Sequence, residues 1–239
     1  EALPAPAPPH RAGVESIDMS LRVGASALER HSHEFAGATF RAAIGKLVRQ
    51  LPTGSECSVS PALRARFEAA AAYVTLCGLL RECRELQSAV AAQGAPPPKL
   101  VQQLCLRWAC VLRVAKAPRH TVQFAMQAMA TFFAHARAVG GWAAARRLAV
   151  MLLDRCSAMM SADQLAQVKY VTDVTSEGGY SARGGGQGRL PDADAAIAGA
   201  CPRCARPLEL LTPTCRFCDA NVAVCFRDRR LCDASASHL

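Results

Sequence analysis

The stretch LCLRWACVLRVAKAPRHTVQFAMQAMATFFAHARAVGGWAAARRLAVMLLD, residues 104–154, decides the fold class. Apolar side chains recur in it every three or four positions, at Leu104, Trp108, Val111 and Leu112, then at Val122, Met126, Met129 and Phe133, then at Leu148, Met151 and Leu152. That is the period of amphipathic helices, each burying one stripe. Pro118 and the Gly140–Gly141 pair break the run, and breaks this short lay each helix back against the one before it. Working outward, Phe40, Ile44, Leu47, Val48 and Leu51 repeat the period ahead of a break at Pro52 to Pro61. Leu100 opens another helix after Gly94 to Pro98. The reading is a mostly α chain, an antiparallel helical-hairpin solenoid over residues 14–176. A faint tetratricopeptide-like character shows twice. Phe35 with Ala38, and Trp142 with Ala145, stand where such hairpins set an aromatic and a small residue against the partner helix.

Chemistry concentrates at the other end. CPRC at 201–204 and CRFC at 215–218 form a CxxC…CxxC array, and four soft thiolates in two close pairs suit one tetrahedral Zn²⁺. Cys201, Cys204, Cys215 and Cys218 are therefore the expected ligands of one structural zinc in a small knuckle or ribbon over residues 193–239. Disulfides would need an oxidising compartment, and a redox CxxC would open a helix in a βαβ unit, which the sequence lacks. With all four ligand places filled, no position remains for a catalytic water. NVAVCF after Cys218 alternates enough for one short strand.

Composition bounds the rest. The chain has 239 residues, 51% of them hydrophobic, enough for a real core. Of twelve cysteines, Cys57, Cys77, Cys83, Cys105, Cys110 and Cys156 scatter through helical segments, the habit of buried thiols in a reducing compartment. No run approaches a membrane span and no signal-peptide pattern opens the chain, so the expectation is a cytoplasmic protein. An opening on Glu1 suggests a piece of a longer polypeptide. Residues 1–13, with Pro4, Pro6, Pro8 and Pro9, read as an extended linker, and residues 177–192 as a Gly-rich hinge.

The tempting features have plain readings. Gly184 to Gly188 lacks the Lys-Ser or Lys-Thr of a phosphate loop. His31 and His33 lie far from the cysteine pairs and read as surface residues. Trp108, Phe132 and Phe133 at helical spacing read as core. The net charge of +9 comes mostly from arginines spread over the helices, and only Arg227, Arg229 and Arg230 cluster near the array. No nucleophile with a nearby base, no carboxylate pair and no cofactor loop can be assembled, so no enzyme or small-molecule substrate is expected.

The order of segments resembles a known family. EFAGATFRAAIGKLVRQLP at 34–52, AAAYVTLCGLLREC at 70–83, the long pair at 104–154 and the closing CPRC…CRFC look like the C-terminal domain of the coatomer alpha subunit. The resemblance implies a scaffold that binds the epsilon subunit, a tetratricopeptide-type helical protein, and other subunits of the COPI coat on Golgi membranes and vesicles. It also implies metal ligands at Cys201, Cys204, Cys215 and Cys218. One departure stands out: family members place an extended, strand-forming segment before the cysteines, where this chain has Gly-rich sequence from Gly178 to Gly188. Two alternatives stay open. One is the C-terminal part of another coat-like scaffold, such as an intraflagellar-transport subunit. The other is a zinc-dependent nucleic-acid-binding module, against which stands the small number of aromatics beside the basic residues near the array.

Overall fold

The computed structural model of the chain describes residues 9–51, 60–114, 118–136, 141–176, 199–208 and 214–234. These form seven α-helices followed by a two-stranded antiparallel sheet. The helices are α1 (Pro9–Glu29), α2 (His33–Arg49), α3 (Pro61–Ala91), α4 (Pro98–Val114), α5 (Pro118–Ala134), α6 (Trp142–Cys156) and α7 (Ala162–Thr175). The strands are β1 (Val222–Val224) and β2 (Leu231–Asp233). The mostly helical reading holds. None of the described helices is long and apolar enough to cross a membrane. Four helices begin on proline, the residue whose fixed φ and missing N–H suit the first helical position. The first of them starts at Pro9, inside the stretch expected to be linker; the Gly-rich residues 177–192 lie outside the described residues.

The chain divides into two compact units, Glu1–Arg81 and Glu82–Leu239, where the sequence reading has a single helical domain over 14–176. In the first, α1 and α2 form an antiparallel hairpin. Lys46 late in α2 donates to Ser16 Oγ at 2.9 Å and to Ser20 Oγ at 3.0 Å in α1. Gly24 is required here, because a Cβ on it would stand 2.7 Å from the Phe40 ring that crosses α1 at that point. Phe40 stacks on Tyr73 of α3 with centroids 4.5 Å apart. Ile17, Leu47 and Ala70 are buried together, with Leu21, Ile44, Leu63 and Phe67 packed around them. Asp18 takes a two-pronged ion pair from Arg66, at 2.9 and 3.2 Å, and this holds its carboxyl below the usual range. The expected pairing of Phe35 and Ala38 against a neighbouring helix is not found. Phe35 is 57% exposed, and Ala36, Gly37 and Phe40 face the core instead. A period of 3.6 leaves that one-residue ambiguity wherever alanines flank the aromatic.

In the second unit the core is continuous over α4 to α7. Leu104, Trp108, Val111, Phe124, Met129, Phe132, Leu148, Leu152 and Val168 are all buried, so Trp108 and Phe132 are core side chains as expected. Phe133 meets Trp142 edge-on at 5.5 Å and Tyr170 at 6.0 Å, tying α5, α6 and α7 together. Ser161 caps α7 with a reciprocal box, accepting from Gln164 N–H while the Gln164 side chain accepts from its own N–H.

Candidate metal centre

The C-terminal module is built from one local device used three times. Cys201 N–H donates to Arg206 O at 2.8 Å while Ala205 N–H donates back to Cys201 O at 2.8 Å. Cys215 N–H and Ala220 O, with Asp219 N–H and Cys215 O, repeat the pattern at 2.9 and 2.8 Å. Cys225 N–H and Arg230 O, with Arg229 N–H and Cys225 O, repeat it again at 2.8 and 2.9 Å. Each turn closes on a non-glycine residue in the left-handed region, Ala205, Asp219 and Arg229, at φ of 58°, 54° and 56°. Each is also flanked by a bridge between the residue before the cysteine and the residue seven positions later, Ala200 with Pro207, Thr214 with Asn221, and Val224 with Leu231. A left-handed alanine or arginine costs about 1 kcal/mol or more, which local structure must offset.

Two of the turns supply that offset with cysteine pairs facing one another. Cys201 Sγ lies 3.8 Å from Cys218 Sγ, and Cys204 Sγ lies 3.6 Å from Cys215 Sγ. All four sulfurs lie within 4.8 Å of one another. These separations are far beyond a disulfide bond of about 2.05 Å. They match the edge of a sulfur tetrahedron, about 3.8 Å when metal–sulfur bonds are about 2.3 Å long. The four residues expected as ligands are thus brought together, two buried and two half-buried, in an arrangement able to hold one metal ion. Among the described residues no other such group occurs.

The backbone prepares Cys215 for the charged form. N–H groups of Phe217 and Cys218 point at Cys215 and, against some desolvation, lower its thiol to about 7. Cys218 receives the Ala220 N–H, which lowers it. Desolvation and the three facing thiols outweigh that and push it up to about 12. Four thiols this close cannot all ionise unless a cation sits among them.

The third turn carries Asp228 where the others carry their second cysteine, and neither Cys225 nor Cys232 joins the four. Cys232 donates instead to Ala223 O at 3.5 Å across the β1–β2 ribbon. The turn's work is attachment. β1 packs against α4, and Gly199, at φ 83°, fits where a Cβ would stand 2.9 Å from Leu231 and 3.1 Å from Leu106. Arg107 of α4 donates to the carbonyl of Arg229 at 3.3 Å and pairs with Glu82 at 2.8 Å. Arg229 pairs with the same carboxylate. The module lies on α4 through β1. The sequence reading missed the third turn, Glu82 and Arg107. The repeated register of Cys201, Cys215 and Cys225 was its only sequence signal. No family model, no curated protein and no solved structure matches the chain.

Proposed function

We propose that this chain is a non-enzymatic assembly scaffold whose C-terminal module is folded by one structural Zn²⁺ on Cys201, Cys204, Cys215 and Cys218. The observation that supports it most is the attachment of the C-terminal module to the helical body by its third turn, through Glu82, Arg107 and Arg229, which makes the centre part of the scaffold's framework. Zinc is favoured by four thiolate donors at tetrahedral spacing, a set that also fills its coordination and leaves no open place for substrate or water.

The scaffold reading is that of a coat-type subunit, a helical-hairpin solenoid similar to the C-terminal domain of coatomer alpha. It would bind an epsilon-like tetratricopeptide protein and lie peripherally on the cytosolic side of Golgi membranes and COPI vesicles. A partner surface has support in the α1–α2 hairpin, where Met19, Val23, Phe35, Val48 and Leu51 are large, apolar and exposed. A stable interface buries about 1,600 Å² in total and rests on a few such anchors. The Gly-rich sequence at 178–188 departs from the strand-forming segment of coatomer alpha, and the C-terminal part of an intraflagellar-transport subunit is the second reading within the same class.

Affinity capture with the zinc-loaded chain from an extract of its own source tests the proposal. Recovery of a helical-repeat coat subunit with about one zinc per chain supports coatomer. Recovery of intraflagellar-transport proteins selects the second reading, and recovery of neither class overturns both.

A further inference from the structure

The three turns of the module also display an aromatic and guanidinium surface apart from the four clustered cysteines. The two residues after the first cysteine of each turn are exposed: Pro202 and Arg203, Arg216 and Phe217, Phe226 and Arg227. Phe217 is 41% and Phe226 49% exposed, unusual for phenylalanine in so small a module. Arg206 from the first turn and Arg216 from the second each place Cζ 4.8 Å from the centroid of the Phe217 ring. Arg203, Arg206 and Arg227 make no ion pair among the described residues. The Phe217 ring therefore holds the Arg206 guanidinium in place, removing part of the ordering cost, about 0.5–1.5 kcal/mol per side chain, that binding would otherwise meet.

We propose that this surface docks an acidic protein segment, a stretch of glutamates or aspartates interspersed with apolar side chains, separately from the helical-repeat partner above. Guanidinium forks match carboxylates two bonds at a time, and exposed phenylalanines supply the apolar contact between them. Arginine and aromatic side chains together are the residues on which binding energy concentrates. Nucleic acid fits less well. The described module has six arginines against three aspartates, and a divalent metal on four thiolates removes two of the three surplus charges. Nucleic-acid affinity grows with the number of phosphates neutralised, whereas an acidic segment needs only a few local pairs. Phe217 also already carries guanidiniums where a base would stack.

The test is fluorescence anisotropy on the full zinc-loaded chain with a labelled alternating Glu–Leu peptide, against the matching Gln–Leu and Lys–Leu peptides and a single-stranded RNA. The Glu–Leu peptide should bind, weaken with salt, and lose about tenfold in affinity for each guanidinium removed by Arg203→Ala and Arg206→Ala, the size of a charge-assisted hydrogen bond. Phe226→Ala should weaken it as well. Metal content is measured on each variant. If a variant loses metal, the comparison of Glu–Leu with Gln–Leu on the unaltered chain decides alone. Equal binding of those two peptides, or tighter binding of RNA, overturns the proposal. The Arg203→Ala/Arg206→Ala chain should still capture its helical-repeat partner, so failure here and failure of the scaffold reading are separable.

Discussion

Arg229, which ends the third turn in the left-handed region, forms an ion pair with Glu82 of α3, although the two are remote in sequence. Arg107 of α4 reaches both, pairing with the Glu82 carboxylate and donating to the Arg229 carbonyl. One carboxylate between two guanidiniums joins two helices to the metal-holding module. Glu82 is 20% exposed and each arginine 30%, so the cluster is shielded without being sealed.

Glu82→Gln should therefore loosen the module by more than a surface pair would. It leaves two arginines facing each other without the charge that held them. The expected loss is about 1–3 kcal/mol, between the values of exposed and buried pairs. Hydrogen exchange should rise in residues 214–234 and stay unchanged in α6 and α7. Unchanged exchange at 214–234 would show that the contact with α4 is held by Leu106 and β1 alone.

Thiol chemistry should divide the cysteines into two classes. In metal-free protein near neutral pH, Cys215, in a module that has lost the metal folding it, should be alkylated well before Cys77 and Cys105, which burial pushes up to about 12. Mapping iodoacetamide adducts by mass spectrometry reads the order. Bound zinc should protect Cys215, while Cys77 and Cys105 should react only on unfolding.

The same buried thiols set the alkaline limit of the fold. Their folded pKa is raised above the unfolded value of 9.0, so the stability they contribute is fully present below pH 9. It is lost as pH rises through about 12. Helical circular dichroism against denaturant at stepped pH should show the midpoint falling across that window. Cys77→Ala with Cys105→Ala should flatten the dependence there, at some cost in packing.

Gly24 and Phe40 should be coupled. Gly24→Ala brings a methyl to 2.7 Å from the ring, so overpacking of about 1–3 kcal/mol should exceed the helix-propensity gain of about 1 kcal/mol. Adding Phe40→Leu should recover part of the loss beyond additivity, measured by chemical denaturation of the double-mutant cycle.

Local chemistry explains what was legible in the sequence. The spacing of Leu104, Trp108, Val111, Leu148 and Leu152 marks helix faces because the period is set within a single turn, and these residues are buried as read. The cluster of Cys201, Cys204, Cys215 and Cys218 was legible for the same reason, since CxxC is complete in four residues. Phe35 misled because its alanine-rich surroundings do not distinguish adjacent registers. The contact of Arg107 with Arg229 joins positions 122 residues apart, and no periodicity in either segment encodes such a pairing. The third turn was obscured because Asp228 replaces the cysteine that would have marked it.

The most direct test of the account is the metal content of the purified full chain by native mass spectrometry, beside the Cys215→Ser chain. The account predicts one zinc per chain in the first, none in the second, and helical circular dichroism nearly equal in both. A full chain purified without zinc, or one that keeps its zinc after Cys215→Ser, would contradict it.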